Sequence, residues 1–308
     1  MGNLEVFNEF KLNFDQNGIF LLNITLGIVM FGVALGIDLS NFKEIIRKPK
    51  SLILGLISQF VLLPAVTFLL IKILQPSEGI ALGMILVASC PGGNISNFIS
   101  SLAKANIELS VSLTGVSTLL SVFLTPVNFT FWGSLYVSSS SLGHRIEIDF
   151  FQMFQTVILI LGIPLIIGVL FSKKFTILTK KIQTPIKIIS IIIFAGFVLG
   201  ALQKNADEFI KYINVIYIII IIVFLHNAIA LLTGYFFARI FKLKPKDRKT
   251  ISIETGIQNS GLALVLIFNP NIFPADLQIG GMAFIAAWWG IWHIVSGMAI
   301  SYFWGHKK

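Results

Sequence analysis

Glu254 is the only acidic residue placed deep within a hydrophobic stretch of this 308-residue chain. An intramembrane carboxylate costs at least ~2.5 kcal/mol at a helix centre, so it needs a partner or a proton. No lysine or arginine falls near the centre of any apolar span to serve as that partner. The bland reading is a protonated glutamate bonded to a neighbouring helix; the functional one is a carboxylate whose partner is a transported cation. The surroundings favour the second. Ser96, Asn97, Ser110, Thr114, Gln59 and Gln258 add neutral oxygens. Hard cations take several oxygen ligands without nitrogen or sulfur, and one carboxylate among many neutral oxygens suits a releasable monovalent ion such as sodium. Taken singly, each serine or threonine would be read as back-bonding to its own helix.

These residues cluster at two polar, glycine-bearing interruptions of apolar segments: Cys90-Pro91-Gly92-Gly93-Asn94-Ile95-Ser96-Asn97 and Glu254-Thr255-Gly256-Ile257-Gln258-Asn259-Ser260-Gly261. A bilayer tolerates a broken helix only where it is buried in protein or lines a cavity. Two breaks in corresponding positions of two halves point to a transporter's binding site. The half-helices 94–103 and 259–268 would start at the midplane with their positive ends inward, capped by Asn94 and Asn259, and so attract an anion. The ends of 78–90 and 250–255 present carbonyls, which favour cations.

Composition supplies the frame. Hydrophobic residues make up 56% of the chain and charged ones 12%, against about 25% charged in ordinary globular domains. With mean hydropathy +0.88, this is an all-α integral membrane protein held in a lipid bilayer. The net charge of +9 sits in short loops beside apolar spans, so it is topological and no nucleic-acid partner is expected. One cysteine, Cys90, excludes an intramolecular disulfide and a multi-cysteine metal site. The first 17 residues lack the basic start and small-residue end of a cleavable leader, so the first apolar segment is expected to be retained.

At roughly 20 apolar residues per crossing, nine helices are expected: 18–37, 50–73, 78–103, 106–131, 151–171, 185–203, 211–240, 250–268 and 278–304. Eighteen of the 23 basic residues then share one side, among them Lys43, Arg47, Lys173, Lys174, Arg248 and Lys249. By the positive-inside rule the N-terminus (1–17) is extracytoplasmic, 18–304 is the membrane domain, and the tail 305–308 is cytoplasmic, in a cell (inner) membrane. Helices 1–4 match helices 6–9 in order and opposite direction, the third of each set being broken. That is an inverted repeat with helix 5 unpaired.

The two interrupted motifs, with Leu109-Ser110-Val111-Ser112-Leu113-Thr114-Gly115-Val116-Ser117-Thr118 between them, resemble the bile acid:sodium symporter family. Gln59 with Pro64, His226-Asn227 and Trp292-His293 extend the similarity over nearly the whole chain from residue 24. The resemblance implies a six-helix core (2, 3, 4, 7, 8, 9), a three-helix panel (1, 5, 6) and two sodium ions as coupling ions, with no other cofactor. One site would use Ser96, Asn97, Ser110, Thr114 and Glu254. The other would use Gln59, Glu254, Gln258 and the carbonyls of Thr255 and Ile257. An organic anion, such as a bile acid or small carboxylate, would contact Asn94, Asn259 and His293. Bacterial relatives often carry a tenth span, a threonine where Asn94 stands and an asparagine where Ile294 stands. Both substitutions touch the expected substrate side, so coupling is read more firmly than cargo.

Three other functions compete. Proton coupling through Glu254 is the nearest. An intramembrane enzyme would need a nucleophile or metal motif, and no HExxH or serine motif is present. A ligand sensor would have no use for pseudo-symmetry across the membrane. His226 and His293 are expected to be hydrogen-bonded at helix interfaces, and no obligate protein partner is evident.

Overall fold

The computed structural model describes residues 16–35, 49–139, 149–204, 213–269, 272–273 and 279–306. Most of the expected outer segment 1–17, half of the tail 305–308 and the basic residues Lys11, Lys43, Arg47, Lys48, Arg145, Lys211, Lys307 and Lys308 lie outside them.

Among the described residues the chain is helical, with no strand. The elements are α1 (Gln16–Leu35), α2 (Pro49–Leu74), α3 (Glu78–Ser89), α4 (Ile95–Leu102), α5 (Ile107–Ser139), α6 (Phe150–Lys174), α7 (Thr176–Lys204), α8 (Ile213–Ile240), α9 (Pro245–Gly256), α10 (Ser260–Ile267) and α11 (Gly280–His306). Five of them, α2, α5, α6, α11 and the stretch Ile216–Ile240 of α8, are long and apolar enough to cross a membrane. The halves on either side of the two breaks are not. They have 12 and 8 residues at the first break, and again 12 and 8 at the second. At 1.5 Å per residue none reaches across a ~30 Å hydrocarbon core alone.

The broken helices therefore need protein around them, and they have it. All 12 residues of α3 are buried, as are Thr250–Gly256 of α9 and seven of the eight residues of α10. The lining comes from α11, which packs along α3, α4, α10 and α8, and from α8, which packs along α9. Separately, α1 packs against α6 and α7.

Small residues set the closest of these approaches. A Cβ on Gly83 of α3 would lie 2.7 Å from Met282 Cα, and one on Gly281 of α11 would lie 3.1 Å from the backbone of Gly79. Close backbone contact is how helices associate where the hydrophobic effect is absent. Gly83→Ala is accordingly expected to destabilise the protein by about 1–3 kcal/mol through overpacking. The check is an earlier melting transition of the purified variant in detergent.

Two prolines leave a matching signature. Proline cannot donate to the carbonyl four residues back and clashes with it. Ahead of Pro64 the helix widens to a π turn at Ser58–Leu62, and ahead of Pro164 it does so at Ile158–Gly162. In the first, the Leu63 N–H reaches back to the Ser58 carbonyl. Such π bulges often mark functional positions, and Gln59 lies in this one.

Several helices outrun the expected spans. α5 continues to Ser139, α7 begins at Thr176 with Pro185 inside it, and α9 begins at Pro245. The expected spans counted only apolar residues, whereas polar turns outside the hydrocarbon layer remain helical. At one such end Lys249 Nζ donates to the carbonyls of Ala103 (3.2 Å) and Trp304 (3.0 Å). That places a cation at the negative ends of α4 and α11, the favourable pole of each dipole.

Candidate functional site

The two interruptions cross and pair. Gly92 and Gln258 form an isolated antiparallel bridge. The Gly93 N–H donates to the Ile257 carbonyl at 2.7 Å and the Asn259 N–H to the Pro91 carbonyl at 2.8 Å. Unwinding the helices frees backbone groups that must find partners when buried, and here each break satisfies the other. The contact is tight, since a Cβ on Gly93 would lie 3.0 Å from the Gln258 carbonyl oxygen.

Glu254, 1% exposed, stands beside the crossing. Its Oε1 accepts from Ser96 Oγ (2.6 Å), Ser110 Oγ (2.5 Å) and Thr114 Oγ1 (3.1 Å). Thr114 Oγ1 is also 3.1 Å from Oε2, 3.2 Å from Asn97 Oδ1 and 3.3 Å from Ser96 Oγ. Oxygens outnumber hydroxyl protons in this group. Both carboxylate oxygens, three hydroxyls and the Asn97 carbonyl share three protons, and the Thr114 proton can serve only one of its neighbours. The cluster is thus rich in lone pairs, carries a carboxylate and draws on α4, α5 and α9. All five residues expected for the first cation site come together here.

The residues expected for the second lie along the backbone that follows Glu254. Gln59 Nε2 donates to the Glu254 carbonyl at 3.3 Å, and Gln258 Nε2 to the Thr255 carbonyl at 2.8 Å. These donors fix the amide orientations, since either flip would set oxygen against oxygen. What remains are Gln59 Oε1 and Gln258 Oε1, both buried and without a hydrogen-bond partner. A buried polar atom left unpaired costs about 1–3 kcal/mol, and two such acceptors beside the Thr255 and Ile257 carbonyls suit a cation. Gly92 joins the two groups: a Cβ there would be 2.8 Å from Gln59 Nε2 and 2.8 Å from Glu254 Oε2.

The expected anion contacts are distributed around the crossing. Asn259 opens α10 and its Oδ1 accepts from the Leu262 N–H at 3.0 Å, a side-chain cap. Asn94 opens α4 but makes no side-chain cap, because its backbone is already helical. His293 is buried on α11, between Gly290, whose Cβ position abuts Ser260, and Gly297, whose Cβ position abuts Ile257 and Ile99. No hydrogen bond joins Asn94, Asn259 and His293 to one another. Ile294 is 40% exposed and faces away from the buried stripe of α11 formed by Trp289, His293 and Gly297. His226 lies at a helix interface, 2.7 Å from Thr67 Oγ1 and edge-on to Trp289.

Three supporting residues were not singled out from the sequence for a site. Ser58 hydrogen-bonds the Thr255 hydroxyl at 2.8 Å. Asn227 donates to the Gly256 carbonyl at 2.7 Å and accepts from Ser296 Oγ at 2.6 Å. For Asn227 the available signal was an amide in the middle of a long apolar helix, which demands a partner.

Comparison with known proteins gives the family. The profile of the sodium bile acid symporter family matches residues 23–212. The uncharacterized sodium-dependent transporter YocS of Bacillus subtilis (strain 168) is 33% identical over 288 residues, covering 93% of this chain and 83% of that protein. The probable sodium/metabolite cotransporter BASS1 of Arabidopsis thaliana chloroplasts is 29% identical over 246 residues, covering 79% of this chain and 58% of that one. The human P3 protein is 29% identical over 258 residues, with 83% of this chain and 52% of that one covered. The chain spans most of the bacterial relative and little more than half of the plant and human ones. It belongs to the sodium bile acid symporter family. It is a multi-pass membrane transporter, not an enzyme.

Proposed function

We propose that this chain is a sodium-coupled symporter of an organic anion, working by alternating access. The observation that carries the reading is the oxygen-rich, proton-poor cluster around Glu254, flanked by the two unpartnered amide oxygens of Gln59 and Gln258. One sodium ion would be held by Ser96, Asn97, Ser110, Thr114 and Glu254. A second would be held by Gln59, Glu254, Gln258 and the carbonyls of Thr255 and Ile257. Hydroxyls that donate to Glu254 in this geometry would turn their lone pairs to the ion instead. The anion would be met by Asn94, Asn259, His293 and the positive starts of α4 and α10. Its charge would be offset in part by the sodium ions.

Counting each broken pair as one crossing, the described residues make nine, and the N-terminus would lie outside and the C-terminus in the cytoplasm of a cell (inner) membrane. The equal 12-and-8 division of the two broken helices supports an inverted repeat. The packing of α1 chiefly with α6 and α7 supports a panel that rocks against the rest.

Two measurements test this. Gln258→Ala is expected to reduce the cooperativity of sodium-dependent thermal stabilisation, bringing the Hill coefficient from above one to about one. A coefficient unchanged from the unmodified protein would count against a second ion. A melting-shift screen of cholate, taurocholate, succinate and lactate should find at least one anion whose effect appears with sodium and vanishes with potassium. An anion response indifferent to the cation would contradict coupling.

A further inference from the structure

We infer that Asn227, anchored by Ser296, is a positioning residue for the second cation site: a side-chain clamp that decides which carbonyls at the end of α9 remain for the ion. This rests on the sodium reading above. Asn227 is fully buried in α8. Its Nδ2 donates to the carbonyl of Gly256, the last residue of α9, at 2.7 Å. Its Oδ1 accepts from Ser296 Oγ of α11 at 2.6 Å. One amide thus joins three helices, and the Gly256 carbonyl, which can only accept, fixes which edge of it faces α9, since a flip would set Oδ1 against that oxygen.

The consequence falls on the neighbouring peptide units. With the Gly256 carbonyl held toward α8, the carbonyls on either side turn to the crossing: Thr255 O meets Gln258 Nε2 and Ile257 O meets the Gly93 N–H. Leu231 of α8 packs directly on Gly256, where a Cβ would lie 2.4 Å from its Cδ2. The other break has a counterpart. Thr125 Oγ1 of α5 donates to the carbonyl of Ser89, the last residue of α3, at 2.8 Å. In both places a flanking helix captures the final carbonyl before the chain unwinds.

The same α8–α9 interface offers a control. Ser252 Oγ donates to the Leu231 carbonyl at 2.6 Å, so Ser252→Ala removes a buried bond between the same two helices without touching the carbonyls at the break. The experiment is sodium-dependent thermal stabilisation of each purified variant at constant ionic strength, with potassium as the replacing ion. Asn227→Ala, and Asn227→Leu should the first fold poorly, are expected to raise the half-saturating sodium concentration about tenfold, equivalent to about 1.4 kcal/mol. Ser296→Ala should shift it in the same direction by less. Ser252→Ala should lower the melting temperature and leave sodium half-saturation unchanged. An unaltered sodium response in the Asn227 variants, or an equal shift in Ser252→Ala, overturns the clamp. No sodium response in the unmodified protein overturns the coupling reading itself.

Discussion

Replacing Glu254 with glutamine is expected to remove the sodium response of this protein while leaving it folded. The carboxylate is the only charged group in both proposed ion sites, and its oxygens accept from Ser96, Ser110 and Thr114. Truncating one partner of a buried, hydrogen-bonded charge pair costs about 2–5 kcal/mol, which is roughly 30-fold to several thousand-fold in affinity. Half-saturation by sodium should therefore move beyond the accessible concentration range. Without sodium the outcome should be the reverse. Glutamine fills the same volume, its carbonyl oxygen can still accept from the serine hydroxyls while its NH2 donates to Thr114, and the penalty of burying a charge is gone. Glu254→Gln should melt at or above the unmodified protein in sodium-free buffer. Melting curves of both proteins in sodium and in potassium check the two halves together, and a sodium shift that survives in the variant would sink the assignment.

The second large effect is expected from a methyl group. Gly92→Ala would place a Cβ 2.8 Å from both Gln59 Nε2 and Glu254 Oε2, too close for either to stay. Both neighbours are side-chain ends, so they and not the backbone would yield. The displaced groups are proposed ligands of the two ions. Losing one charge-assisted contact forfeits about 1.5–3 kcal/mol, so sodium affinity should fall about ten- to hundredfold. The melting temperature in sodium-free buffer should change little. Gly196→Ala on α7, where a Cβ would meet nothing within 4 Å, is the matched control and should leave both quantities alone. A large loss of stability with sodium affinity intact would mean that Gly92 serves packing and not the site.

Much of this was legible in the sequence, for reasons that differ from residue to residue. Glu254 announced itself because an intramembrane carboxylate is costly enough to demand an explanation. The two breaks were readable because prolines, glycines and asparagines inside apolar spans leave few other structures open. The four oxygens around Glu254 were visible as neutral ligands near the breaks but could be sorted into one site only through the family resemblance, since Ser110 and Thr114 look like ordinary packing residues of a long helix. Their convergence depends on α4, α5 and α9 meeting, which no local pattern encodes. Gln59 stood among the same neutral oxygens, and the resemblance assigned it to the second site. The π turn that carries it follows from Pro64, a local cause recognised only once the helix was seen to widen.

Asn94 shows the limit from the other side. Its residue type suits a cap, yet the backbone at 94 is already helical and the side chain caps nothing, whereas Asn259 does cap α10. Capping depends on the dihedral angles of one residue, and composition does not report them. Asn227 was visible as a polar residue in α8, but its partner Gly256 is 29 positions away, beyond any spacing rule. Ile294 lies on the exposed face of α11, a placement set by the helix's rotation against α3 and α10 that the sequence does not report.

The most direct test of the central claim is equilibrium binding of radiolabelled sodium to the purified, unmodified protein, with competition by unlabelled sodium and by potassium. The account predicts a saturable component of two ions per chain that unlabelled sodium displaces and potassium does not. Absence of a saturable component, or equal displacement by potassium, would contradict it.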